Sequence, residues 1–217
     1  MAGVVGVFFR MAQIFFRIYF FLYHRASIKG LPGLKNFLSE RGGKPVILAA
    51  NHESYLDPPL IGMLFPRPIR FIAWDGLFKV PIFASLIRAL GAVSVDQKNK
   101  NSAASLLRDV MEFIRSGYSV LIFPEGERSP DGKLLPFEGG VALISSKTQT
   151  PIVPVWVDTF EAYPLYNKIP RPWRVAVKFG EPVFPEALPS GMSERERREA
   201  LLAALRQSME KMRNSTV

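Results

Sequence analysis

Pro45-Val46-Ile47-Leu48-Ala49-Ala50 runs straight into Asn51-His52-Glu53-Ser54-Tyr55-Leu56-Asp57, and Pro58-Pro59 follow. An apolar run without polar alternation reads as a short strand buried on both faces. Two prolines after an aspartate read as a helix start, because proline is tolerated in a first turn. The heptapeptide between them is then a strand-to-helix turn, the connection from which α/β sheets are built. The chain has two histidines and no cysteine, so His52 is the obvious candidate for base chemistry near neutral pH. Along a regular helix, side chains five residues apart point roughly 140° away from each other. His52 and Asp57 therefore meet only if His52 sits in the turn and Asp57 at or near the helix start. The same residues also fit a plain loop with Asp57 as helix N-cap, and both readings stand at this point.

Working outward, the remaining chain alternates strands and helices. Ile69–Trp74, Ala92–Val95, Ser119–Phe123, Ile152–Val157 and Val175–Phe179 read as strands. Pro58–Phe65, Ile82–Leu90 and Ser102–Ser116 read as helices, the last with Ala103, Leu106, Leu107, Val110, Met111 and Ile114 on one face and Gly117 as its stop. Ser193 with Glu196 forms a capping box for a final helix whose Leu201, Leu205, Met209 and Met212 face inward. This pattern predicts an α/β fold, a largely parallel or mixed sheet flanked by helices. Residues 26–44 are turn-rich, with a short helical piece at Leu34–Ser39, so the N-terminal region is expected to be a single amphipathic helix or a helical hairpin made with that piece. The domain expectation is a membrane-anchoring helical segment over 1–40 and an α/β domain over 45–217.

Composition narrows the function classes. The absence of cysteine excludes a disulfide framework, a thiol nucleophile and a thiolate metal site. With two histidines and no clustered carboxylates, neither a metal nor another cofactor is expected. The net charge of +9 calls for an anionic partner. More than half of that excess lies before residue 40, where Arg10, Arg17, Arg25, Lys29 and Lys35 stand without an acidic residue. The same segment is rich in Phe, Tyr, Val and Ile. Arg10, Arg17 and His24 recur every seven residues, with Gln13 and Arg25 close to their line, giving one narrow basic stripe. Two central arginines cost roughly 5–7 kcal/mol in a bilayer, and the apolar residues return roughly 4–7 kcal/mol, so magnitudes do not decide whether the helix crosses. The stripe favours a helix in the interface, facing lipid phosphates, over a core helix with snorkelling arginines. A nucleic-acid partner is not expected, because the basic segment is too hydrophobic for a solvated phosphate tracker.

A second stretch, Phe123-Pro124-Glu125-Gly126-Glu127-Arg128-Ser129, follows the strand ending at Phe123. Ligands of open α/β sheets gather beyond the carboxyl ends of the strands, so this block and the His52 turn are expected to face one crevice. Gly126 permits close backbone approach, and Arg128 offers a forked donor for phosphate. The block is not a P-loop, since Gly126 to Gly132-Lys133 is one residue too long and Leu134 stands where Ser or Thr is needed. No G-x-S-x-G occurs, so an elbow serine is not indicated.

Taken together, N-H-x-x-x-x-D and F-P-E-G-x-R-S resemble blocks of the glycerolipid acyltransferases, specifically the 1-acylglycerol-3-phosphate (lysophosphatidate) acyltransferase family. Gly91-Ala92-Val93-Ser94-Val95-Asp96-Gln97 looks like the family's second block and Ile152-Val153-Pro154-Val155-Trp156-Val157 its fourth, while Phe179-Gly180-Glu181-Pro182 resembles a common ending. The resemblance implies transfer of a fatty acyl group from a thioester, acyl-CoA or acyl carrier protein, to the free hydroxyl of a lysophospholipid. It implies His52 as base, Asp57 as its orienting partner, and Glu125, Gly126, Arg128 and Ser129 on the acceptor side. Backbone amides near the His52 turn would hold the oxyanion. A membrane-associated, monotopic enzyme on the cytoplasmic face follows. Three departures bear on the acceptor. Gln97 stands where Arg is usual (Lys98 or Lys100 are the nearest replacements), Glu127 where Thr is usual, and Trp74-Asp75-Gly76 precede Leu77-Phe78 in place of a lysine. They leave room for another lysophospholipid or lyso-aminolipid, and a non-catalytic lipid-binding relative is the rival of another class.

Overall fold

The computed structural model describes residues 2–74, 79, 84–85, 87–88, 91–95, 102–167, 169–189 and 191–215. Its elements run α1 (Ala2–Leu22), β1 (Ser27–Lys29), α2 (Leu31–Glu40), β2 (Ile47–Ala50), α3 (Asp57–Gly62), β3 (Arg70–Trp74), β4 (Ala92–Val95), α4 (Ser102–Arg115), β5 (Val120–Ile122), α5 (Gly140–Thr148), β6 (Ile152–Asp158), β7 (Ala176–Phe179) and α6 (Glu194–Asn214). The seven strands form one sheet in the order β1-β7-β6-β2-β5-β3-β4. Every pairing is parallel except β6 with β7. The expected α/β architecture with a largely parallel sheet is therefore observed. Of the expected helix Ile82–Leu90, residues 84, 85, 87 and 88 are helical and the others lie outside the described residues.

Side-chain alternation along the strands splits the core into two layers. Leu48 and Ala50 of β2 and Val153, Val155 and Val157 of β6 join Phe9, Phe16, Phe20, Leu34, Leu60 and Ile61 of α1, α2 and α3. Ile47 and Ala49 with Ile152 and Trp156 meet Val110, Ile114, Val141, Ile144, Leu205 and Met209 of α4, α5 and α6 on the other face. A strand covered by helices on both sides reads as a continuous apolar run, and that is the run at 45–50. The capping box is present, with Ser193 Oγ accepting from Glu196 N and Glu196 accepting from Ser193 N.

The N-terminal region differs from expectation in two respects. A strand, β1, separates α1 from α2, so the two do not make a helical hairpin. Three residues suffice because β7 offers a parallel edge, with Ile28 opposite Val177. Gly30 then turns the chain at φ +74, with its Cα so close to Phe179 that a Cβ would stand 2.2 Å from that carbonyl oxygen. The basic stripe is also not turned outward as a unit. Gln13 Nε2 and Arg17 Nε donate to the carbonyl of Met63, and Gln13 Nε2 also to that of Phe65. Carbonyls just past a helix lack intrahelical partners, and these side chains supply donors. His24 is fully buried, bonded through Nδ1 to the Trp173 carbonyl and through Nε2 to the Tyr19 hydroxyl. Arg10, Arg17 and Arg25 are exposed, Arg17 while its Nε is held by the Met63 carbonyl. What α1 turns away from the sheet is an apolar face, with Phe8, Met11, Ile14, Phe15 and Ile18 each more than half exposed. No helix among the described residues is long and apolar enough to cross a membrane.

Candidate active site

β2 delivers the His52 turn to the carboxyl end of the sheet, and the amide of Asn51 fixes where the strand ends. Its Oδ1 accepts from Val157 N at 2.7 Å and its Nδ2 donates to Val157 O at 2.9 Å. This side-chain pair continues the ladder between β2 and β6 by one step beyond the backbone. Glu53 then ties the turn to the end of β6, accepting from Thr159 N at 2.7 Å and Phe160 N at 2.8 Å. Burial, reinforced by nearby Asp57, pushes its carboxyl well above the usual range, while these amide bonds act in the opposite sense.

His52 and Asp57 meet as the turn requires. Nδ1 lies 2.8 Å from Asp57 Oδ2, with Asp57 completely buried and the imidazole partly open. Asp57 is the first residue of α3 and its carboxylate reaches back rather than capping the helix, whose N-cap is Leu56. Oδ2 also accepts from Glu53 N and Ser54 N, and Oδ1 from the hydroxyls of Ser54 and Thr159. Fixing the carboxylate fixes the tautomer, because Asp57 accepts a proton on Nδ1 and leaves Nε2 as the basic nitrogen. The other face of the ring stacks on Phe123, with centroids 3.9 Å apart and planes 18° from parallel.

The second block folds against the first. His52 N donates to Glu125 Oε1 at 2.8 Å, and Leu135 N donates to Glu125 Oε2 at 2.7 Å. Burial raises the Glu125 carboxyl, opposed by those two amide bonds. Both oxygens being held by the backbone, Glu125 acts as a strap between the blocks. Gly126 takes φ +76 in the turn closed by its N–H on the Phe123 carbonyl. Ser129 is buried and its N–H donates to the His52 carbonyl at 2.7 Å. Arg128 is the block's partly open cation. Its guanidinium carbon sits 3.8 Å from the Tyr55 ring centroid, and Nη2 donates to the Tyr55 hydroxyl at 3.0 Å.

All six sequence-selected residues therefore gather at one end of the sheet, with Asp57, Glu125 and Ser129 buried in the scaffold and His52, Gly126 and Arg128 partly or fully exposed. Of the amides in the His52 turn, those of His52, Glu53 and Ser54 are taken by Glu125 and Asp57. Gln97, Lys98, Lys100 and the stretch Asp75–Phe78 lie outside the described residues. Among the described residues no three His, Cys, Asp or Glu side chains are grouped to hold a metal ion. Thr159 and Tyr55 are the partners that sequence reading did not assign. Tyr55 lies inside the decisive heptapeptide, and Thr159 stands directly beyond the carboxyl end of β6, where ligands and site residues collect.

Comparison with known proteins follows the same blocks. Curated relatives named 1-acyl-sn-glycerol-3-phosphate acyltransferase include a chloroplastic protein of Brassica napus, 30% identical over 145 residues covering 67% of this chain and 40% of that protein. The human beta form is 33% identical over 127 residues, covering 57% of this chain and 44% of its own. The chain thus spans less than half the length of these relatives. A crystal structure of the 1-acyl-sn-glycerophosphate acyltransferase PlsC from Thermotoga maritima superposes with a TM-score of 0.73 at 29% identity, covering 96% of this chain and 81% of that one. The Acyltransferase family model matches residues 30–158, a stretch that contains both the His52 turn and the Arg128 block, and the chain belongs to that family.

Proposed function

We propose that this protein transfers a fatty acyl group from an acyl thioester, acyl-CoA or acyl carrier protein, to the free hydroxyl of lysophosphatidate, giving phosphatidate and the free thiol. The observation that carries the reading is the 2.8 Å contact of His52 Nδ1 with a buried, fully hydrogen-bonded Asp57. With Nδ1–H held there, His52 Nε2 takes the acceptor hydroxyl proton as its oxygen attacks the thioester carbonyl. Asp57 stabilises the imidazolium that forms. Collapse of the tetrahedral intermediate breaks the C–S bond, and the imidazolium returns its proton to the departing thiolate. No acyl-enzyme is required. Arg128, pre-oriented by Tyr55, holds the acceptor phosphate with its remaining N–H donors. The relatives' names support the acceptor.

Both lysophospholipid and product reside in a bilayer, and α1 provides the means to work there. Its apolar outer face enters the interface while its inner face packs on the sheet. A second reading, an acceptor with a zwitterionic head group, draws on exposed Glu127 beside Arg128. Release of free thiol from palmitoyl-CoA in vesicles, for the parent and His52→Ala, is the test. Acceptor-dependent release with lysophosphatidate that disappears in the variant supports the proposal. Release only with a zwitterionic lysolipid transfers it to the second reading. Silence with every acceptor and both donor classes leaves a lipid-binding protein.

A further inference from the structure

Away from His52 the structure has a cleft of ≈ 500 Å³ lined by Arg25, Ser27, Asp158, Arg174, Val175 and Ala176. Ser27, Ala176 and Asp158 stand side by side where β1, β7 and β6 meet. The cleft therefore opens at the same end of the sheet as His52, displaced across β6. Arg25 and Arg174 are exposed, and among the described residues neither has a hydrogen-bond or ion-pair partner. Arg25 is held at φ +48, a conformation uncommon for a long side chain. Asp158 brings one negative charge, but its Oδ1 accepts from Trp156 Nε1 at 2.8 Å, and the two guanidiniums leave the cleft net positive.

The segment that leads from β6 back to the cleft exposes apolar and aromatic side chains. The segment after β6 carries Tyr166 and Ile169, each 73% exposed, and Trp173, 54% exposed. It is fastened to the foot of α1 by the Tyr23 hydroxyl on the Pro170 carbonyl, by His24 Nδ1 on the Trp173 carbonyl and by Val175 N–H on the His24 carbonyl. Leu22 and Tyr23 at the end of α1 are exposed, and Tyr23 is tied to the segment that carries Trp173 and Arg174. Ser27, Ala176 and Asp158 turn the cleft to the α6 side of this same end of the sheet. Amphipathic aromatics beside basic side chains are the composition of a membrane–water boundary.

We infer that this segment is a second membrane contact and that the Arg25/Arg174 cleft takes the phosphate of an anionic phospholipid head group. The two guanidiniums would clamp the phosphate while the acyl chains lie along Trp173 and the foot of α1. The inference rests on the membrane placement proposed above for α1. It adds a lipid that is neither donor nor acceptor, bound away from Arg128.

The test is co-sedimentation with vesicles of phosphatidylcholine alone or containing phosphatidylglycerol, read without turnover. The chains compared are the parent, the Arg25→Gln/Arg174→Gln variant and the Arg195→Gln/Arg198→Gln variant. The last pair removes the same charge from the start of α6, which pairs with Lys147 at the far end of the sheet from the cleft. At about fivefold per basic residue near an anionic surface, the first variant loses about 25-fold in affinity for the anionic vesicles. Binding to phosphatidylcholine, the melting temperature and the α6 variant stay close to the parent. Equal losses in the two variants would reduce the effect to net charge and overturn the site. So would displacement of the parent by inorganic phosphate at matched ionic strength, which would assign the cleft to a soluble anion. A parent that fails to sediment with any vesicle removes the membrane placement of α1 as well.

Discussion

Asp57 receives His52 Nδ1–H, two backbone amides and the hydroxyls of Ser54 and Thr159. Such a carboxylate cannot rotate when His52 becomes charged, and Thr159 is the member of that set contributed from farthest along the chain. Thr159→Val removes one hydrogen bond to a charged group, worth about 1.5–3 kcal/mol. Turnover is expected to fall about 10- to 100-fold with KM little changed, and Thr159→Ser to restore most of it. Steady-state kinetics of the two variants decides this, since a merely structural loss would not be rescued by the smaller hydroxyl residue. Tyr55→Phe keeps the ring under Arg128 but deletes its hydroxyl contact. A rise in acceptor KM of about threefold to tenfold, with kcat retained, is expected in acceptor titrations. The pairing of His52 with Asp57 was legible in the sequence because both lie in one turn. Thr159 was not, because 102 residues separate it from Asp57 and only the ladder of β2 on β6 closes that distance.

Helix α1 serves two surfaces, and its residues separate accordingly. Phe16→Ala or Phe20→Ala empties a core position and is expected to cost about 3–5 kcal/mol in chemical denaturation. Phe15→Ala, one position away but exposed, should leave that stability unchanged and weaken vesicle binding about fivefold. His24 adds a pH dependence. Burial lowers its pKa from the ordinary 6.5, opposed by its bond to the Trp173 carbonyl. Just below pH 6.5 the unfolded chain binds the proton and the folded chain does not, so stability falls as pH drops through that window. The melting temperature of the parent should drop between about pH 7.5 and about pH 5.5 by more than that of His24→Gln. Among the elements, α4 and α6 were readable from their periodic apolar faces and stop or cap signals. β1 was not, since Ser27-Ile28-Lys29 carries no apolar run and exists through β7. α5 was also missed, because Gly139-Gly140 open it without a capping side chain.

At the scale of the molecule, one antiparallel pairing, β6 with β7, turns a parallel α/β sheet back on itself and gives β1 an edge to join. Gly30 closes that junction against Phe179, and Gly30→Ala brings both a Cβ clash and a left-handed backbone penalty. A loss of at least ~2 kcal/mol in chemical denaturation is expected. The order of strands also has a consequence for biosynthesis. Helix α1 is synthesised well before the sheet is complete, and β1 behind it has no pairing partner until residue 179 has been made. At ordinary elongation rates that interval is roughly 10–30 s. During it α1 exposes its core face and its outer face alike, so for that interval the helix is a chaperone's client before it is part of a fold.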